Sequence, residues 1–179
     1  VVFVLVCVVK FGALGVSLLT EYILDELADR DIQTRVFSTG SKMRCIEEKE
    51  LKVVLDLNPD LIIFATPTAS AEGPKKAIEI LKRRPLIVIT NQISTDFKKE
   101  LKSKKVGYIV IPADSMLGAR REFLDPTEMV LYNSDVLKVL AVTGVFRKLQ
   151  FELDKAIEDL KSNNYTPPSL IIDSKTAAD

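Results

Sequence analysis

Short β-branched runs recur along the first two thirds of the chain, and their apolar residues run together rather than alternate. They are Val1 to Val9, Gln33 to Ser38, Leu61 to Ala65, Leu86 to Thr90 and Tyr108 to Ile111. A strand with one wet face alternates polar and apolar residues, whereas a strand covered on both faces does not. Amphipathic stretches of helical period separate them, near residues 14–29, 46–57, 73–83 and 94–105. Strand and helix thus alternate about five times, which predicts a doubly wound, mainly parallel sheet with helices on both faces.

In such a sheet ligands gather beyond the carboxyl ends of the strands. That rule nominates Lys10 to Gly15, Thr39 to Met43, Thr66 to Pro74, Asn91 to Thr95 and Pro112 to Arg121. Beyond Asp125 the pattern changes. A long helical period runs to about Lys161 through Leu137, Leu140, Leu149, Leu153 and Leu160. Asn133-Ser134-Asp135 is placed to start a second helix, and Thr143-Gly144 to loosen the middle. Ser169 to Ile172 predicts a last strand after the Asn163 to Pro168 break. The expected organisation is a Rossmann-like α/β domain over residues 1–124, with an appended helical segment and final strand over residues 125–179 on the same core.

Composition excludes several classes. The 179 residues carry 25 basic and 25 acidic side chains, so no overall basic surface calls for nucleic acid. The lysines at 98, 99, 102, 104 and 105 read as a solvated helix face. The sequence holds no histidine, which removes the commonest general base, the triads built on it, and nearly every catalytic zinc arrangement. Cys7 and Cys45 lack metal-ligand partners at useful spacing, so no metal is expected, and they fit a reducing cytoplasm. The opening VVFVLVCVV has no basic leader region and is too short before Lys10 to span a bilayer, so no membrane is expected. A chain opening on valine also predicts that residues precede it in the natural protein.

The rim segments offer modest motifs. Lys10-Phe11-Gly12-Ala13-Leu14-Gly15 is a strand, a GxxG turn and a helix start, without the third glycine or the acidic ribose partner of a nicotinamide site. Ser38-Thr39-Gly40-Ser41-Lys42 places hydroxyls and a cation where they suit either an anion or a helix cap. Thr66-Pro67-Thr68 is turn chemistry. Asp125-Pro126-Thr127-Glu128 has the form of a capped helix start, with Pro126 at the first helical position. Arg120-Arg121-Glu122 beside Asp114-Ser115-Met116 either recognises an anion or pairs internally.

The run from Ala113 through Asp114, Met116, Gly118-Ala119-Arg120-Arg121-Glu122-Phe123-Leu124-Asp125-Pro126-Thr127-Glu128 to Met129 is distinctive. With Asn133, Lys138-Val139-Leu140-Ala141 and Thr143-Gly144, it closely resembles the coenzyme F420-dependent methylenetetrahydromethanopterin dehydrogenases of methanogenic archaea. The likeness continues through Phe146 to Gln150 and, more weakly, upstream through Gly40, Lys42-Met43, Pro59-Asp60 and Gly73-Pro74. Ala13 and Thr68 stand where that family usually has asparagines, and Asn91-Gln92 where it has acidic residues.

The resemblance implies a cytoplasmic oxidoreductase of archaeal one-carbon metabolism and methanogenesis, acting as a homo-oligomer. It would move a hydride between the deazaflavin coenzyme F420, a dissociable cosubstrate, and a tetrahydromethanopterin one-carbon derivative. It places the deazaflavin near Gly12, Ala13, Leu14, Thr39, Thr66, Pro67 and Thr68. The pterin falls near Met116, Arg120, Arg121, Asp125 and Asn133, with Asp114 or Asp135 as the acidic partner of the cationic substrate. The other reading is a relative that keeps the sheet and binds a ligand or partner without turning it over.

Overall fold

The structure, a computed structural model, describes residues 3–25, 28–43, 47–113, 125–173 and 175–177. In chain order its elements are β1 (Val4–Lys10), α1 (Gly15–Asp25), β2 (Ile32–Ser38), α2 (Glu48–Asp56), β3 (Leu61–Thr68) and α3 (Glu72–Leu81). They continue with β4 (Leu86–Gln92), α4 (Thr95–Ser103), β5 (Gly107–Val110), α5 (Pro126–Val142), α6 (Val145–Lys161) and β6 (Ser169–Ile171). The six strands form one sheet in the order β2-β1-β3-β4-β5-β6, and every pairing is parallel.

Period-two alternation splits the strand side chains between two cores. Val4, Val6 and Val8 of β1, Ile63 of β3 and Ile87 and Ile89 of β4 join Val16 and Leu24 of α1 and Leu149 and Leu153 of α6. Cys7, Val9, Ile62, Phe64 and Val88 point the other way, onto Leu51 of α2, Ile78 of α3 and Phe97 of α4. Burial pushes the Cys7 thiol pKa up, so it is a small core hydrophobe rather than a nucleophile.

One connection departs from the rest. From β1 to β2 the chain moves one way across the sheet with α1 on the first face. From β2 through β5 it moves the other way with α2, α3 and α4 on the second face, which is the same hand. The return to β6 keeps the second direction but carries α5 and α6 on the first face, so its hand is opposite, an uncommon crossover. The cause is coverage: without α5 and α6 the apolar side chains of β4 and β5 on that face, Ile87, Ile89 and Ile109, would face water. Arg30 fastens this layer, bonding the Ile23 carbonyl and pairing with Asp154 of α6.

Several expected boundaries move. β3 and β4 run on to Thr68 and Gln92, which pair in register, so Thr66-Pro67-Thr68 and Asn91-Gln92 are strand ends rather than loop. The Thr90 hydroxyl makes this possible: it lies 3.2 Å from the Pro67 carbonyl and accepts from the Ala69 N–H at 3.2 Å. Asn133-Ser134-Asp135 starts no second helix. Ser134 donates to the Val130 carbonyl at 2.9 Å and Asp135 pairs with Lys138 at 2.9 Å, so α5 absorbs both polar side chains. The break comes at Gly144, whose φ of 83° ends α5, and α6 departs at 75°.

Among the described residues no single helix is long and apolar enough to cross a membrane. The lysines of α4 and the turn after it are partly neutralised, Lys104 by Glu79 and Glu100 and Lys99 by Asp96.

Candidate functional site

At the β1/β3 boundary neighbouring strands send their helices to opposite faces, so the loops beyond the carboxyl ends diverge and leave a crevice. The turn after β1 sits in it. Gly12 adopts φ +82°, and a Cβ there would come within 2.7 Å of Met43 Cγ and 3.2 Å of Pro67 Cδ. Both the left-handed backbone and the close approach therefore require glycine. The Phe11 N–H reaches the Ala65 carbonyl at 2.9 Å, and the Thr39 N–H reaches the Lys10 carbonyl at 3.0 Å. Thr39 Oγ1 donates to the Lys42 carbonyl at 2.6 Å and lies 3.4 Å from the Gly12 N–H, which ties the second loop to the first.

Of the residues expected to hold a cofactor, the structure thus brings Gly12, Thr39, Thr66 and Pro67 into one cluster around Met43. Gly12, Thr66 and Pro67 are buried, and the Thr66 hydroxyl lies 3.5 Å from the Met43 sulfur. These three are the floor of the crevice. Ala13 is exposed and Leu14 buried, and Thr68 is half-buried at the end of β3. Gly12→Ala is expected to lower stability by about 1–2 kcal/mol, the cost of a left-handed alanine, in a urea unfolding curve.

Hollows flank the turn on both sides. One of about 290 Å³ lies between Ala13, Gly15, Ser38, Gly40 and Asn133. Another of about 480 Å³, on the α2 side, is lined by Phe37, Thr39, Lys42 and Glu50. Lys10 borders both, and its ammonium pairs with Glu21 of α1 at 2.6 Å. The first turn of α1 carries no acidic side chain, which leaves the positive end of its dipole available to an anion.

α5 crosses the same rim. Asn133 faces α1 closely enough that a Cβ on Gly15 would lie 3.6 Å from its Oδ1. Below them a narrow cleft of about 30 Å³ is lined by Ala13, Leu14, Asn91, Ala113, Asn133 and Val136. Asp125 caps α5, its Oδ1 accepting from the Thr127 and Glu128 N–H groups at 2.8 and 3.3 Å. Asp135 is not brought to this crevice. Two residues from Asn133 it points around the helix, into a separate hollow of about 510 Å³ with Tyr132, Val139 and Asp173. Asp114, Met116, Arg120 and Arg121 lie outside the described residues, as does Cys45. Among the described residues no group of three or more histidine, cysteine or acidic side chains is placed to hold a metal.

Comparison with known proteins decides the family. The family described as methylene-5,6,7,8-tetrahydromethanopterin dehydrogenase matches residues 4–179. The F420-dependent methylenetetrahydromethanopterin dehydrogenase of Archaeoglobus fulgidus is 48% identical over 174 residues, 96% of this chain and 64% of the relative. That of Methanopyrus kandleri is 42% identical over 179 residues, 94% of this chain and 63% of the relative. The chain belongs to the methylenetetrahydromethanopterin dehydrogenase family.

A solved structure of an F420-dependent methylene-tetrahydromethanopterin dehydrogenase, in complex with methylene-tetrahydromethanopterin and coenzyme F420, superposes with a TM-score of 0.86 at 40% identity. The superposition covers 96% of this chain and 64% of that one. This chain therefore spans just under two thirds of the length of the dehydrogenases it matches. The likeness to the dehydrogenase family carries the α/β sheet. Asn91 belongs to the nominated Asn91 to Thr95 segment, without a role of its own in the sequence reading. Its signal is the strand period: Ile87 and Ile89 point to the α1 face, and the alternation carries on to Asn91.

Proposed function

We propose that the chain transfers a hydride between coenzyme F420 and a tetrahydromethanopterin one-carbon derivative, as a cytoplasmic step of archaeal one-carbon metabolism. The observation that carries this is the superposition, over 96% of the chain, on a dehydrogenase holding both molecules. The rim supports it: the Gly12 turn and the Val130 to Leu137 stretch of α5 border one crevice, where two flat ligands can meet.

The residues present suit a dissociable deazaflavin. Lys10, the Ser38 to Gly40 loop and the start of α1 offer an anion-binding end, and Asn91 and Asn133 offer polar groups beside apolar walls. When bound, the reduced deazaflavin supplies the hydride. The protein's part is to hold the rings in contact and exclude water. Positioning of this kind is worth about 7–11 kcal/mol of a barrier, and it needs no ionising side chain at the reacting atoms. A chain without histidine is consistent with that division of labour.

Gly12, Thr66 and Pro67 act as the floor, and Ala13, Leu14, Thr39 and Thr68 border the deazaflavin side. Asn133 and Asp125 serve the pterin side, together with Met116, Arg120 and Arg121 as the sequence places them. α5 buries only Leu140 and leaves Leu131, Val139 and Val142 more than half exposed along one face. A second copy of the chain on that face is part of the proposal.

The test mixes purified protein with reduced F420 and methenyl-tetrahydromethanopterin and follows the deazaflavin absorbance band. Turnover that scales with protein concentration is expected. Binding of both molecules with no change in absorbance would turn the reading to a non-catalytic relative.

A further inference from the structure

Asn91 sits at the carboxyl end of β4 and is 5% exposed. Its Nδ2 meets no acceptor among the described residues. A buried amide donor without a partner costs about 1–3 kcal/mol, so native structures leave few of them. Its neighbours are not in this position. The Thr90 hydroxyl, one residue back, has partners in the Ala69 N–H and the Pro67 and Gln92 carbonyls, and the Ser17 hydroxyl bonds the Leu14 carbonyl at 2.6 Å. Asn91 lines the narrow cleft between the β1 turn and α5.

The cleft describes its occupant. At about 30 Å³ it is far smaller than the roughly 300–1,000 Å³ of a pocket that encloses a whole ligand, so it admits the edge of a ligand rather than a whole ring. Its other walls are Ala13, Leu14, Gly15, Val136 and Leu137, with Asn133 the second polar side chain. Polar and apolar surface are mixed on these walls, which suits the polar edge of a ring. A charged oxygen would lose its hydration there, and no Lys or Arg side chain is among the described residues that line the cleft. A neutral carbonyl oxygen fits on both counts.

We propose that Asn91 Nδ2 donates a hydrogen bond to a pyrimidinone-type ring carbonyl of one of the two heterocycles, fixing how deeply that ring enters the crevice. The inference rests on the hydride-transfer reading. Deazaflavin and pterin both carry such a carbonyl, so the experiment separates them.

Calorimetric titrations with oxidised F420 alone and with methenyl-tetrahydromethanopterin alone, on wild type, Asn91→Leu and Asn91→Ala, test it, alongside melting temperatures. Losing one neutral hydrogen bond predicts about a tenfold weaker Kd for one ligand in both variants. The other ligand's Kd should not change, and melting should be unchanged or higher, since removing an unsatisfied buried amide relieves the free protein. Weaker F420 binding assigns the carbonyl to the deazaflavin, and weaker methenyl-tetrahydromethanopterin binding assigns it to the pterin. Unchanged affinities for both ligands would overturn the proposal and leave the hydride-transfer reading standing. So would weaker binding of both with a lower melting temperature, which marks a structural amide. Wild type that binds neither ligand would overturn the functional reading and this inference with it.

Discussion

Phe64→Ala is expected to remove about 3–5 kcal/mol of folding stability, which for a chain of this size lowers the melting temperature by roughly 6–20 °C. Phe64 is fully buried on β3, next to the centre of the sheet. Its ring packs on Phe11 at a centroid distance of 5.2 Å and an interplanar angle of 60°, a tilted contact that favours both rings. Alanine leaves a cavity under α2 and α3 that backbone held on both sides by neighbouring strands cannot close. Phe11 directly precedes the Gly12 turn, so the same change loosens the crevice floor and ligand affinity falls with stability. A loss under 1 kcal/mol in chemical denaturation would mean that the β3 face is not the core of the protein.

Leu153→Ala is expected to cost about 2–5 kcal/mol and to shift a single unfolding transition as a whole. Leu153 is fully buried on α6 and belongs to the same cluster as Val6, Ile63 and Ile89 of the sheet. A helix sharing side-chain contacts with three strands unfolds with them, so residues 125–179 are proposed to form one cooperative unit with the sheet. Arg30, joining the end of α1 to Asp154, adds a tie across the same boundary. Two separate calorimetric transitions, with only one displaced by the substitution, would show the helical segment folding on its own.

The sheet was legible because its burial is written in residue type. β1, β3 and β4 carry unbroken apolar runs, and only a strand covered on both faces tolerates that. β2 shows the limit: its Gln33, Arg35 and Val36 are exposed at the edge, where one side of the strand has no neighbour. The cap of α5 was equally plain, since Asp125 and Pro126 act through neighbours two and three residues away. Features set by distant contacts were not. That β3 and β4 continue to Thr68 and Gln92 depends on the Thr90 hydroxyl reaching Pro67. The burial of Gly12 depends on Met43, thirty-one positions later. Where Asp135 points had no local signal, since roughly 200° of helix rotation separates it from Asn133. The opposite hand of the last crossover has no local signal either. It follows from which face of the sheet lacked cover.

The direct measurement is the fate of a labelled hydride. Reduced F420 carrying two deuteriums at the reactive carbon is mixed in ordinary water with the methenyl compound and the protein, and the product is weighed by mass spectrometry. Two rings held in contact in the rim crevice predict one deuterium retained per turnover at every pH where the protein is folded. Product that has lost the label to solvent would mean that the hydrogen travels as a proton through water or a side chain, and that the crevice does not bring the two rings together.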